Sequence, residues 1–331
     1  MPHCKVTLVN PSWFKRTGAK LAAMPDLYPP MGVGCVAGAL RQANFHTEIL
    51  DLPILGIAEN DDAAVLARLA ASKPDIVGFT SVTMTYRTCQ RLAEKVRAFW
   101  PDMPILLGGV HVTDAPELTV SDPRFDYSVA GEGEAAIVAL CQGLAAGRVP
   151  DNIPGVGYHR AKTPYCVARA DLDIARYPPA AYDLFDLDAY LTQYRRMSII
   201  TQRGCNARCI FCSSGFTMPR VNYLPIDRIM SELIYLVRDR GFSFINIYDS
   251  NFTSRNDWVH QICDAILESG LRFRWRCFSK SNGVNVDLFD KMRRAGCSHV
   301  LFGVESSNPT AERPARQPAC STRHPARRLA S

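Results

Sequence analysis

Residues 197–212 read Met197-Ser-Ile-Ile-Thr201-Gln-Arg-Gly-Cys205-Asn-Ala-Arg-Cys209-Ile-Phe-Cys212. An apolar, β-like run ends at Thr201, and three cysteines follow within residues 205–212. Three thiolates can hold three corners of an iron–sulfur cube and leave the fourth iron without a protein ligand, which is where chemistry can occur. A structural zinc usually wants four ligands in paired spacings. A disulfide fits poorly with an odd, clustered set of cysteines in a chain that shows no sign of secretion. The reading is a cluster-binding loop placed after a strand.

Outward from that loop, strand and helix patterns alternate. Downstream come a helix over Pro225 to Arg240, a strand from Phe242 to Tyr248 and a helix from Trp258 to Ser269. A strand from Arg272 to Cys277, a helix from Val286 to Ala295 and a strand from His299 to Val304 complete the series. Upstream, strands are expected at Lys5 to Asn10, His46 to Leu52, Asp75 to Ser81, Pro104 to Gly109 and Tyr127 to Ala130. Helical periods lie between them at Gly34 to Ala43, Ala63 to Ser72 and Tyr86 to Trp100. Such alternation implies a parallel sheet covered on both faces, and right-handed crossovers make it doubly wound. Ligands bind such sheets beyond the carboxyl ends of the strands.

The loops to watch are therefore Asn10-Pro11, Leu27-Tyr-Pro-Pro-Met-Gly32, Ser81-Val-Thr83, Gly108-Gly109-Val-His111 and Gly131-Glu132-Gly-Glu134. Glycines there let backbone approach a broad ligand. Neither a Gly-x-Gly-x-x-Gly nor a phosphate-loop Gly-Lys-Ser/Thr is present, so dinucleotide and nucleoside triphosphate binding lose their main support. The expected plan is α/β. A doubly wound, flavodoxin-like domain spans 1–150, an ordered proline-broken linker 151–196, and an incomplete (β/α) partial barrel 197–308. A Pro- and Arg-rich tail at 309–331 has no apolar periodicity.

The 331 residues carry a formal charge of +6, but the tail holds five arginines against Glu312 alone. The body thus lacks the concentrated basic stripe of a nucleic-acid binder. No apolar run approaches the ~18 residues of a membrane span, and the start of the chain lacks a signal-peptide core. A cytoplasmic protein is expected, in which the other nine of twelve cysteines stay reduced.

The Cys-x3-Cys-x2-Cys spacing of Cys205, Cys209 and Cys212, with Phe211 before the last cysteine, resembles the radical S-adenosylmethionine (SAM) superfamily. The Ser81-x-Thr83, Gly108-Gly109 and Gly131-Glu132-Gly-Glu134 elements resemble the cobalamin-binding domain found ahead of many radical SAM domains, with Thr83 where leucine is usual. The resemblance implies a 4Fe-4S cluster, SAM and cobalamin as cofactors, and cleavage of SAM to a 5′-deoxyadenosyl radical. Methyl transfer to an unactivated centre of a small molecule is implied, with ring formation or oxidation as alternatives. An external one-electron reductant of flavodoxin or ferredoxin type would supply electrons.

By the same resemblance Phe211 leans over adenine, Asp249 or Asn251 meets the SAM amino group, Arg276 its carboxylate and Glu305 its ribose. Pro11, Ser81, Thr83, Gly108, Gly109, His111, Gly131 and Glu132 line the corrin, His111 being either a corrin neighbour or a hydrogen-bonding surface residue. The Asp-x-His-x-x-Gly motif that supplies a cobalt ligand in the methionine-synthase branch is absent, since Asp51-Leu-Pro53-Ile-Leu-Gly56 has proline where histidine is needed. The familiar barrel has six strands and this sequence reads as four, so a truncated or frame-shifted end is expected. A non-catalytic cofactor-binding remnant and a zinc-stabilised module over 197–308 are the rival readings.

Overall fold

The computed structural model describes residues 4–14, 27–148, 151–159, 165–167, 173–207, 209, 211–280 and 285–304. Five parallel strands, β1 (Lys5–Asn10), β2 (His46–Asp51), β3 (Ile76–Thr80), β4 (Ile105–Gly108) and β5 (Tyr127–Val129), form the first sheet in the order 2-1-3-4-5. That is the doubly wound order expected from the alternation. The sheet then continues past residue 150, because β6 (Val156–Tyr158) pairs antiparallel with β5, and β7 (Tyr165–Cys166) with β6.

Alternation along each strand makes two cores. Val6, Leu8, Ile76 and Leu106 face one side, under helices α1 (Met31–Gln42) and α6 (Gly133–Ala145). Val9, Val77, Phe79, Ile105 and Leu107 face the other, under α2 (Asp62–Ser72) and α3 (Tyr86–Phe99). Helix α2 starts where the Asp61 side chain accepts from the Ala64 amide at 3.2 Å, satisfying one of the free amides of a first turn. Two short helices, α4 (Val110–Asp114) and α5 (Pro116–Val120), lead from β4 towards β5.

Residues 173–195 carry the short helix α7 (Leu187–Gln193) and run along α1. The close approach needs glycine at two positions one helical turn apart. A Cβ on Gly38 would sit 2.5 Å from the Pro179 carbonyl oxygen, and one on Gly34 would sit 2.9 Å from the Phe185 ring. The Ala181 amide bonds the Gly34 carbonyl at 2.9 Å. From the second half, Arg228 donates to the carbonyls of Ile174, Tyr177 and Pro178 at 3.2, 2.6 and 3.0 Å.

The second sheet is parallel throughout: β8 (Arg196–Ile199), β11 (Phe244–Ile247), β12 (Arg274–Ser279) and β13 (Cys297–Phe302), in the order 13-12-11-8. A two-stranded ribbon of β9 (Gln202–Arg203) and β10 (Asn222–Tyr223) follows β8, with the one-turn helix α8 (Ser214–Thr217) between them. Helices α9 (Ile226–Leu233), α10 (Asn256–Ser269) and α11 (Val286–Arg294) cover the sheet. The helix expected to run to Arg240 changes to a π-turn over Ile234–Asp239. Met197, Ile199, Ile245, Ile247, Trp275 and Cys277 belong to the same apolar cluster as Val6, Leu8 and the linker's Tyr182, Phe185 and Tyr190, so one core joins the halves. Among the described residues β13 is an edge strand, and no helix is long and apolar enough to cross a membrane.

A polar latch reinforces this core. The Tyr190 hydroxyl donates to Asp51 Oδ2 at 2.6 Å, and Asn10 Nδ2 donates to Asp51 Oδ1 at 2.8 Å. Burial pushes the Asp51 carboxyl up to about 6, and the two donors only partly oppose it. A folded-state pKa above the unfolded value gives stability that is present at low pH and lost as pH rises from about 4 through about 6. Between pH 4 and pH 7, urea titrations should show the wild type losing roughly 2 to 4 kcal/mol relative to Asp51→Asn; parallel pH profiles would contradict a carboxyl raised by burial.

Candidate cluster and corrin site

Each residue from Thr201 to Cys205 is placed by a group far away in sequence. At the end of β11, Asp249 Oδ1 accepts from the amides of Thr201 and Gln202 at 2.9 and 3.1 Å, and Oδ2 accepts from the Thr201 hydroxyl. Asp249 is 2% exposed, and burial raises its carboxyl to about 7 against the pull of these donors. The Gln202 side chain donates to the Asn251 carbonyl and accepts from Ser254 Oγ at 2.9 Å. Arg203 is held by Glu132 and Glu134 of the first half. Gly204 has φ +93°, and a Cβ there would collide with the Arg220 carbonyl. The Cys205 amide bonds Met218 O at 3.0 Å, and the Cys212 amide bonds Cys209 O at 3.1 Å.

The loop that results has Cys205 buried and Cys209 and Cys212 half-buried, with the Phe211 ring 64% exposed. Among the described residues no three His, Cys, Asp or Glu side chains converge to hold one ion. An iron–sulfur cube takes each thiolate on a different iron, and the thiols of Cys205, Cys209 and Cys212 are the donor type it needs.

The residues expected to meet SAM divide into two groups. Asp249 and Asn251 are spent on the scaffold: besides the contacts above, Asn251 Oδ1 accepts from the Lys280 amide at 3.2 Å. Arg276 belongs to a row of register neighbours across the sheet, in which Asn246 Nδ2 donates to Ser198 Oγ at 3.4 Å and Arg276 Nε donates to Asn246 Oδ1 at 2.9 Å. Its guanidinium stacks 5.2 Å from the centre of the Tyr28 ring, which comes from the first half. Among the described residues no hydrogen bond takes the terminal nitrogens of Arg276, which can therefore meet a carboxylate. Glu305 lies outside the described residues, as does the tail.

At the carboxyl ends of β1, β3, β4 and β5 lie the loops expected to take a corrin. Pro11 and Ser81 are buried, and Ser81 O accepts from the His111 amide at 3.1 Å. Thr83 Oγ1 is 3.2 Å from His111 Nδ1, and the His111 ring stacks on Tyr86 at 4.4 Å. Burial lowers the imidazole's pKa, so His111 is neutral near pH 7, with a buried Nε2 that no described group satisfies. Gly109, at φ +99°, is required because a Cβ would lie 2.5 Å from the Ser81 carbonyl; its need is internal to the loop. Gly108 carries no such restriction, and Gly131 has φ +85°. Val82, Met84 and Val110 are 44, 71 and 56% exposed around these loops. An apolar rim with one orphaned imidazole nitrogen fits a broad, mostly apolar macrocycle bearing polar substituents.

A doubly wound sheet with a Gly-Gly turn at its ligand end, joined to a parallel half-barrel that opens on a three-cysteine loop, defines a two-domain architecture. Two family profiles match the chain: the B12 binding domain matches residues 20–141 and the radical SAM superfamily residues 199–329. An uncharacterized methyltransferase of Pyrococcus horikoshii is 30% identical over 290 residues, 85% of this chain and 61% of its own length. The anaerobic magnesium-protoporphyrin IX monomethyl ester cyclase of Synechocystis is 25% identical over 291 residues, 85% of this chain and 57% of its own. The solved structure of the cobalamin-dependent SAM radical enzyme OxsB, with aqua-cobalamin and SAM bound, shares the fold with a TM-score of 0.77. It does so at 17% identity, over 92% of this chain and 44% of that one. The chain thus carries a segment that matches the B12 binding domain followed by one that matches the radical SAM superfamily, and it spans 57 to 61% of the length of the two curated relatives.

Reading the sequence did not reveal the work of Asp249, Arg203, Tyr28 or Tyr190. Only the lone charge of Arg203 before Cys205 was a signal for any of them. Replacing Asp249 by alanine strands two buried amides, and should lower stability to urea by about 2 to 4 kcal/mol. Asparagine keeps an oxygen for both amides and should restore most of it. Equal urea midpoints for wild type and Asp249→Ala would refute this account of the loop.

Proposed function

We propose that this chain is the cofactor-holding part of a cobalamin-dependent radical SAM enzyme that transfers a methyl group to an unactivated carbon, or other centre, of a small molecule. The observation that carries the reading is the fixed three-cysteine loop at the carboxyl end of the half-barrel, sharing one core with a corrin-type sheet. When bound, the cluster with SAM supplies a 5′-deoxyadenosyl radical and cobalamin supplies the methyl group.

The chain's own residues bind and orient. Cys205, Cys209 and Cys212 hold the cluster as thiolates, and the exposed Phe211 ring offers a face for adenine stacking. The free side of the Arg276 fork takes the SAM carboxylate, with Asn246 and Tyr28 fixing its plane. Asp249 and Asn251 act indirectly, by setting the strand-to-loop turn. Glu305 is assigned to the ribose hydroxyls. On the other side Val82, Met84 and Val110 support the corrin face, with Thr83 and His111 offering polar contacts. Pro11, Ser81, Gly108, Gly109, Gly131 and Glu132 shape the crevice around them. The Asp-x-His-x-x-Gly motif of the methionine-synthase branch is absent, so no histidine of that motif would be offered to a bound corrin. Electrons come from a flavodoxin- or ferredoxin-type reductant in the cytoplasm.

The likeness to a cyclase supports a second outcome at the same site, ring formation in place of methyl transfer. Anaerobic purification with cobalamin supplied, followed by cluster reconstitution, should give bound iron, sulfide and corrin, and release of 5′-deoxyadenosine on adding SAM and reductant. Alanine at any one of the three cysteines should abolish that release and deplete iron. Label from methyl-labelled SAM reaching the corrin marks the methyltransferase; nucleoside release without label transfer marks the cyclase type. Protein that stays colourless would end the reading.

A further inference from the structure

The Arg203 guanidinium lies between Glu132 Oε2, with which it makes a close ion pair, and Glu134 Oε1 at 2.7 Å. The side chains of Arg203, Glu132 and Glu134 are only 15, 17 and 3% exposed. The two glutamates belong to the first half, in the loop after β5 and the first turn of α6, whereas Arg203 is the second residue before Cys205. Burial works against the charge on Arg203, yet Glu134 and Glu132 beside it hold the guanidinium above its ordinary range. The Cys35 thiol is pushed up to about 11 by burial. The second oxygen of Glu134, Oε2, is buried with no described partner. A cavity lined in part by Glu134, Arg203, Arg228 and Glu232 adjoins the pair.

This arrangement is more elaborate than domain packing needs. A shared apolar core already joins the halves, and a buried ion pair is by itself weak evidence of stabilisation. Two buried carboxyl groups share one guanidinium, and one of their oxygens, Glu134 Oε2, has no partner among the described residues. Buried polar groups kept in that condition concentrate where function demands them. The loop bearing the glutamates leaves the ligand end of the first sheet, and the arginine leads directly into the cluster loop.

We propose that Arg203 is a positioning residue that fastens the cluster loop to the corrin-binding half through Glu132 and Glu134, and that this clamp governs how tightly the cluster is kept and how readily it is reduced. The inference rests on the reading of a cluster at Cys205, Cys209 and Cys212. Partners one shell out from metal ligands typically change retention by about 10- to 100-fold, and local net charge tunes the potential of iron–sulfur clusters.

The test uses the whole chain, anaerobically reconstituted. Arg203→Ala should release iron to a chelator about tenfold faster than wild type, with Arg203→Lys partly restoring retention. Glu134→Gln keeps the shape and removes one buried negative charge. It should raise the cluster midpoint potential and alter the electron paramagnetic resonance of the reduced protein, with little change in the thermal melt. If Arg203→Ala fails to fold, the Glu134→Gln potential decides the matter. Wild-type chelation rates in Arg203→Ala together with a wild-type potential in Glu134→Gln would overturn the clamp. Wild type that takes up no iron would instead overturn the cluster reading beneath it.

Discussion

The carboxylate of Asp249 sits at the end of β11 and gathers two backbone amides and a hydroxyl from residues 201 and 202. Burying a carboxylate is unfavourable unless its oxygens are engaged, and here the engagement fixes the direction in which the chain leaves β8. Everything the three cysteines can do depends on that direction. A loop entered at another angle would place Cys205 away from Met218 and from the mouth of the half-barrel. The sharp φ of Gly204 and the Arg203 clamp act on the same short stretch from other sides. The entry is over-determined, as a pre-organised site on a rigid scaffold requires.

Around this point the two halves are joined by apolar packing along an intervening segment. Gly34 and Gly38 let Phe185 and Pro179 lie against α1 where any larger residue would hold them off. Arg228 ties three carbonyls of the same segment to the half-barrel. Tyr182 then bonds Glu232 at 2.7 Å, while Tyr190 reaches Asp51 on the far sheet. The carboxyl ends of the strands of both sheets are thereby set in one frame.

Much of this was legible in the residues. The strand at Lys5–Asn10 and the helices around 62–72, 86–99 and 286–294 lie where periodicity puts them, because a strand or helix with one buried face advertises that face at a fixed spacing. The three-residue strand β6 is too short to show a period, and part of what reads as linker extends the first sheet. Helix α6 escaped notice because its first turn contains Gly133 and Glu134, residues that read as ligand loop. Asp249 and Asn251 look the same in sequence whether they face a ligand or bind the backbone, for strand-end polar residues carry no mark of their partner. Gly109 likewise is glycine for Ser81 in the next loop, and not for a ligand.

The sequence by itself determined the chemistry on offer: three thiols at cluster spacing, an aromatic beside them, and two trains of alternating strands and helices. Covalent order suffices for these, since spacing and periodicity are local properties. Tertiary structure alone decided which charged and polar side chains are spoken for. Arg203 meets Glu132 and Glu134 across some seventy positions of chain, and Asp249 meets Thr201 across 48. Whether a carboxylate serves a ligand or a backbone amide depends on what lies within hydrogen-bond reach after folding, and that proximity is not written in any single stretch of residues.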